Sequence, residues 1–158
     1  MKKKLHIVFA ALFTAVILTA CGEDSELTRF RKSIDSFCTR ISEIDSSINH
    51  IDAESEEATT ELLSYLDDLD DTFRTFAELD FPAEFDYLEN LADESSEYMT
   101  EAVKNYHQAY GGDEYDESTA EYAKQNYSRA YKRIQIIISF LHGEEPTDPD
   151  LTIEYQTE

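Results

Sequence analysis

The chain has 158 residues, with 13 Lys and Arg against 35 Asp and Glu, and a formal net charge of −22. A charge of that sign and size repels phosphate backbones and anionic head groups, and no basic stripe with interleaved aromatics offsets it, so nucleic acid is excluded as a partner. With 41% hydrophobic and 12% aromatic residues the chain can still bury a core, and its length suits one domain.

The first elements are a basic start, Lys2, Lys3 and Lys4, and an apolar run from Leu5 to Leu18 broken only by His6 and Thr14. That run is shorter than the roughly 20 apolar residues a permanent membrane helix needs, and its layout is that of a secretory signal peptide. It closes on Leu18-Thr19-Ala20-Cys21, followed by Gly22. This ending resembles the lipobox of bacterial lipoproteins. The resemblance implies a diacylglycerol on the Cys21 sulfur, removal of residues 1–20, and a tether over 21–24. The protein would then face the extracytoplasmic side of a cell membrane or an outer membrane. Three of the 13 Lys and Arg and none of the 35 Asp and Glu precede Cys21, so a chain cut there carries ten against 35, a net charge of −25. Cys38 would then be the lone thiol, either a half-buried helix residue or the source of an intermolecular disulfide.

From residue 25 to 52 the spacing predicts one helix. Leu27, Phe30, Ile34, Phe37, Ile41, Ile44, Ile48 and Ile51 follow in alternating steps of three and four, which puts them on one stripe. Ser55 with Glu56 and Glu57 reads as the start of a second helix, over 55–80, with Leu62, Leu66, Leu69, Phe73, Phe76 and Leu79 inward. Asp67, Asp68, Asp70 and Asp71 are assigned to its outer face. Phe81-Pro82 stops this helix, because the residue before a proline avoids the helical region, and Pro82 is expected to open a third helix running to residue 110. The third stripe is Phe85, Leu88, Ala92, Ser95, Met99, Ala102, Tyr106 and Ala109, and Gly111-Gly112 is expected to end it in a left-handed cap. Ser118-Thr119-Ala120-Glu121 has capping-box spacing and opens a fourth helix carrying Ala120, Ala123, Tyr127, Ala130, Ile134, Ile137 and Leu141. Residues 143–158 are acidic and proline-broken, and are expected to be a disordered tail.

Four long amphipathic helices with short connections predict an all-α fold, an antiparallel up-down-up-down four-helix bundle over 25–142. In that topology the start of the first helix, the end of the second, the start of the third and the end of the fourth share the end nearest Cys21. Arg29, Arg31, Lys32, Arg74, Arg129, Lys132 and Arg133 gather towards it, either pairing with the aspartates of the second helix or forming a cationic collar at the lipid surface.

The third and fourth helices alternate alanine with tyrosine. Tyr98, Tyr106, Tyr110, Tyr127 and Tyr131, with Glu101 among them, are candidates for an aromatic and acidic pocket that takes a small organic cation; the alternative is a polar-edged seam of core. Other chemistries lack their residues. No histidine has a glutamate three positions before it, as a bundle di-iron site requires, and there is no Cys-x-x-Cys-His, His-Glu-x-x-His or Gly-x-Ser-x-Gly. The acids Asp113, Glu114, Asp116 and Glu117 lack the ligand order of an EF-hand. Gly111-Gly112-Asp113-Glu114-Tyr115 looks like the signature loop of diguanylate cyclases, but that family builds it on a strand hairpin, which an all-helical chain does not have. The expectation is a non-enzymatic lipoprotein without cofactor or metal that binds a protein partner in the envelope, with the organic-cation binder as the alternative.

Overall fold

The structure is a computed structural model that describes residues 25–112 and 114–144. The signal peptide, the lipobox, Cys21 and the tail from residue 145 lie outside the described residues. Four helices follow one another: α1 (Ser25–Asn49), α2 (Ala58–Ala77), α3 (Glu89–Tyr110) and α4 (Glu117–Leu141), with a single 3₁₀ turn (Asp86–Leu88) before α3. No described helix is long and apolar enough to cross a membrane.

Successive helices are antiparallel. Arg40 of α1 meets Asp68 of α2 at 2.9 Å, His107 of α3 meets Asp67 of α2 at 2.7 Å, and Arg133 of α4 meets Glu94 of α3 at 2.7 Å. The order reverses along each pair: Phe37 meets Phe73 while the later Arg40 meets the earlier Asp68, Thr100 meets Asp70 while the later His107 meets the earlier Asp67, and Arg133, late in α4, meets Glu94, early in α3. No residue of the four predicted stripes is exposed. Phe73, Leu69, Leu88, Met99 and Ile137 have no accessible surface at all, and each apolar side chain buried this way contributes about 1.5–3 kcal/mol.

The pairs differ in how closely they pack, and composition explains the order. The backbones of α3 and α4 approach most extensively, α2 and α3 less, α1 and α2 less again. Ala92, Ala102 and Ala109 on α3 and Ala123 and Ala130 on α4 are fully buried, and side chains this small let two helix axes come near. Between α1 and α4 there is no comparable backbone approach; the long side chains of Tyr127 and Tyr131 span that gap to Asp45.

Four local expectations need correction. α3 begins at Glu89, not at Pro82. Pro82 heads a turn instead, its carbonyl accepting from the Phe85 N–H at 2.7 Å. That turn carries Phe81 and Phe85 to the same partner, with ring centroids 4.9 and 6.0 Å from Phe30, so aromatic packing overrides the helix signal. Gly111 is not left-handed: its φ is −85°, and the glycine is needed because a Cβ there would lie 2.6 Å from the His107 carbonyl oxygen. Asp70 does not face outward. It is buried, and Thr100 of α3 donates its hydroxyl to Asp70 Oδ1 at 2.5 Å while Arg74 pairs with Oδ2.

The fourth correction is the cap of α4, which is Asp116 and not Ser118. Its carboxylate accepts from the Thr119 N–H at 3.0 Å and the Thr119 hydroxyl at 2.8 Å, and these bonds hold its pKa below the usual carboxylate range. Asp116→Ala is expected to lower Tm by a few degrees, read by circular dichroism, while Ser118→Ala has little effect.

Candidate functional site

The six residues singled out for a cation pocket fall into separate neighbourhoods. Tyr98 lies under the guanidinium groups of Arg129 and Arg133, at 5.6 and 4.6 Å from its ring centroid. Arg133 is in turn bonded to Glu94, so the cation–π position over Tyr98 already has an occupant from this chain. Glu101 turns to its own helix, accepting from Asn105 at 2.9 Å and pairing with Lys104 at 3.1 Å, which holds its pKa down. Tyr127 and Tyr131 stay together, their rings stacked at 4.7 Å. Tyr106 and Tyr110 continue from them towards the 111–116 connection, where Tyr110 meets Tyr115 with ring centroids 5.1 Å apart.

The tyrosine pair has a partner that periodicity did not reveal. Asp45 of α1 accepts from Tyr131 Oη at 3.1 Å and, more weakly, from Tyr127 Oη at 3.5 Å. One turn apart on α4, the two hydroxyls converge on one carboxylate oxygen, and Asp45 is reachable because the α1–α4 gap leaves room for two phenols. Burial raises the Asp45 pKa, and the two tyrosine hydrogen bonds only partly oppose that. Burial likewise pushes Tyr127 and Tyr131 well above the usual phenol range, and Tyr106 up to about 12. Two neutral phenols bonded to one carboxylate make a hydrogen-bonded seam, and with their pKa values raised they offer no activated nucleophile.

Comparison with family models, with curated proteins and with solved structures finds no match to this chain.

The arginines mostly have partners inside the bundle. Arg74 bonds Asp70 within α2, and Arg129 donates to Asn126 Oδ1 at 3.1 Å. The predicted pairing of α1 with the aspartates of α2 is made by Arg40, a residue outside the expected collar. Cys38 is half-buried on α1, and burial, then the charge of Asp35, pushes its thiol up, away from the reactive thiolate. Among the described residues no three His, Cys, Asp or Glu side chains come together to hold a metal ion.

Among the described residues, the most accessible aromatic surface lies at the end opposite Ser25. Tyr115 is 57% exposed and Tyr122 is 47% exposed, and both belong to the 111–116 connection or the first turns of α4. Exposed acids surround them: Glu114, Glu117 and Glu121 from the same region, and Asp52, Glu54 and Glu57 from the connection between α1 and α2 at the same end. The sequence holds no lysine or arginine from Ile41 to Phe73, or from Asn105 to Ala123, the stretches that build this end. The bundle is therefore electrically polar along its axis: Arg29, Arg31, Lys32, Arg74, Lys132 and Arg133 lie in the half nearer Ser25, against Arg40, Lys104 and Lys124 in the other.

Proposed function

We propose that this chain is a non-enzymatic envelope lipoprotein, held to a membrane through Cys21, that uses the end of the bundle far from the anchor to bind a protein with a basic surface. The observation that carries this reading is the pair of exposed tyrosines set among acids at that end. Tyrosine is a favoured anchor residue in interfaces, since it buries a large ring while ordering few torsions. The surrounding carboxylates would speed encounter with a cationic surface and disfavour acidic partners. An anchor at the other end leaves this surface pointing away from the bilayer. The organic-cation reading has less support, because Tyr98 is already covered by Arg129 and Arg133 and Glu101 is held by Lys104 and Asn105.

The test is site-specific photocrosslinking in intact cells, with the reactive group placed at Tyr115, at Tyr122 and, as control, at Glu26 near the anchor. A discrete crosslinked species is expected from the first two sites only, lost when the other tyrosine is changed to alanine and weakened by added salt. Equal crosslinking from Glu26, or none from either tyrosine, would overturn the reading.

A further inference from the structure

We propose that the groove between α1 and α2 binds a short free peptide of two or three residues, its ammonium on Asp71 and its carboxylate on Lys32. This site is separate from the acidic end and does not depend on that reading. The groove is open to solvent along one side and holds about 570 Å³, a volume comparable to that of small-molecule sites. Its floor is the packed pair Phe37 and Phe76, rings 4.3 Å apart, with Leu79 beside them. Such a floor accepts an apolar side chain and nothing charged.

The polar groups on the walls select the ligand. Lys32 and Arg40 both line the groove from α1, eight residues apart, which is about 12 Å along a helix axis. Arg40 is neutralised at one end by Asp68, at 2.9 Å. Asp71 lies three residues beyond Asp68 on the same wall and makes no ion pair among the described residues; Arg74 feels its charge but is bonded to Asp70. Lys32 likewise makes no ion pair among the described residues. The groove thus presents one cation and one anion without an ion-pair partner among the described residues, on opposite walls and about five residues, or roughly 7.5 Å, apart along the axis. A ligand that satisfies both carries opposite charges separated by roughly 10 Å, the span of three extended residues at about 3.3 Å each. A free amino acid is too short to reach both.

The hydroxyls sharpen the choice. Thr72 donates to the Asp68 carbonyl at 2.6 Å, Thr75 to the Asp71 carbonyl at 2.8 Å, and Ser33 to the Arg29 carbonyl at 3.2 Å. Their protons are used within their own helices, so what remains towards the groove is lone pairs. Ser36, also on the wall, has its hydroxyl proton uncommitted among the described residues, so the groove offers acceptors and a donor, which the N–H and C=O of a peptide bond both meet. The ligand class is therefore a zwitterionic peptide with an apolar central side chain.

The experiment is isothermal titration of the full chain in detergent micelles with three probes: Ala-Leu-Ala with free termini, the same peptide acetylated and amidated, and free leucine. Saturable heat is expected from the first alone. Lys32→Glu and Asp71→Lys each reduce the affinity at least tenfold while thermal melts stay cooperative and close to wild type, since both side chains are superficial. Equal binding of the blocked peptide, indifference to both substitutions, or no saturable heat from any probe would overturn the proposal. So would sedimentation showing that a second copy of the chain covers the groove.

Discussion

Phe73→Ala is expected to remove about 3–5 kcal/mol of stability, the usual cost of deleting a fully buried phenylalanine. Phe73 has no accessible surface, and its ring touches helices on two sides: Phe37 of α1 at 5.5 Å and Tyr131 of α4 at 5.5 Å. It is the contact through which α2 holds both partners of the weakest seam. Domains of this size are stable by about 5–15 kcal/mol, so the loss takes about a fifth of that or more. In thermal denaturation the variant should melt on the order of 15 °C lower, at roughly 4 °C per kcal/mol. Phe73→Leu, which keeps most of the volume, should lose less than half as much. Equal and small losses from both would show that the three helices do not share this ring.

The second large effect concerns Asp45 and is one of sign. Burial raises the Asp45 pKa above its unfolded value. A carboxyl shifted in that direction binds its proton more tightly when folded. Its protonation therefore stabilises the fold: the gain is complete below the ordinary carboxylate pKa and is lost as pH rises through the raised value. Asp116 and Glu101 are shifted down and act oppositely, their contributions fading as pH falls through their lowered values. Wild-type stability should thus rise on mild acidification from neutral pH and turn over below the ordinary carboxylate range. Release of the self-repulsion of a chain this acidic adds to the rise.

Asp45→Asn separates the two contributions. The amide oxygen still accepts from Tyr131 but carries no charge to desolvate, so this variant should be more stable than wild type at pH 7 and gain less on acidification. Tyr131→Phe goes the other way. It removes the stronger of two hydrogen bonds to a half-exposed carboxylate and should cost about 1–2 kcal/mol at pH 7, with a smaller loss once Asp45 is protonated. Denaturant melts at pH 7 and in mild acid check all four values. A destabilised Asp45→Asn at neutral pH would mean that the ionised form is favoured in the seam after all.

The bundle was legible because its stripes are long and regular. The alternation from Leu27 to Ile51 admits one reading, and alanine at Ala92, Ala102, Ala123 and Ala130 marked the pair of helices that packs most closely. What escaped were side chains on the flanks of a stripe. Asp70 follows Leu69 and Asp45 follows Ile44, so both stand about 100° from the core direction, where helical period alone cannot say whether water or a third helix comes next. For α2, packed between α1 and α3, one flank faces Thr100; for α1 it faces two tyrosines. Asp70 had a faint sequence signal in Arg74, four residues on. Asp45 had none, because its partners lie more than 80 residues away on α4. The start of α3 was misplaced for a related reason, since local chemistry at Pro82 favours a helix but the Phe30 ring draws Phe81 and Phe85 into a turn. The cation pocket dissolved on side-chain direction: Tyr98 and Tyr106 stand eight residues apart on α3, and only one of them lies towards the tyrosines of α4.

The unequal packing of the four helices also ranks them by how they come apart. Each helix lies mainly against its neighbour in sequence, so the chain closes only short loops and its native contacts form quickly. The α3–α4 hairpin, drawn together by alanine, is the unit that opens last. The helix that leaves first is α1, whose approach to α2 is the least extensive between successive helices and which makes no comparable backbone approach to α4. A fluctuation that frees α1 breaks the bonds to Asp45 and uncovers Phe73 while the hairpin persists, so partial unfolding begins at the first helix of the bundle.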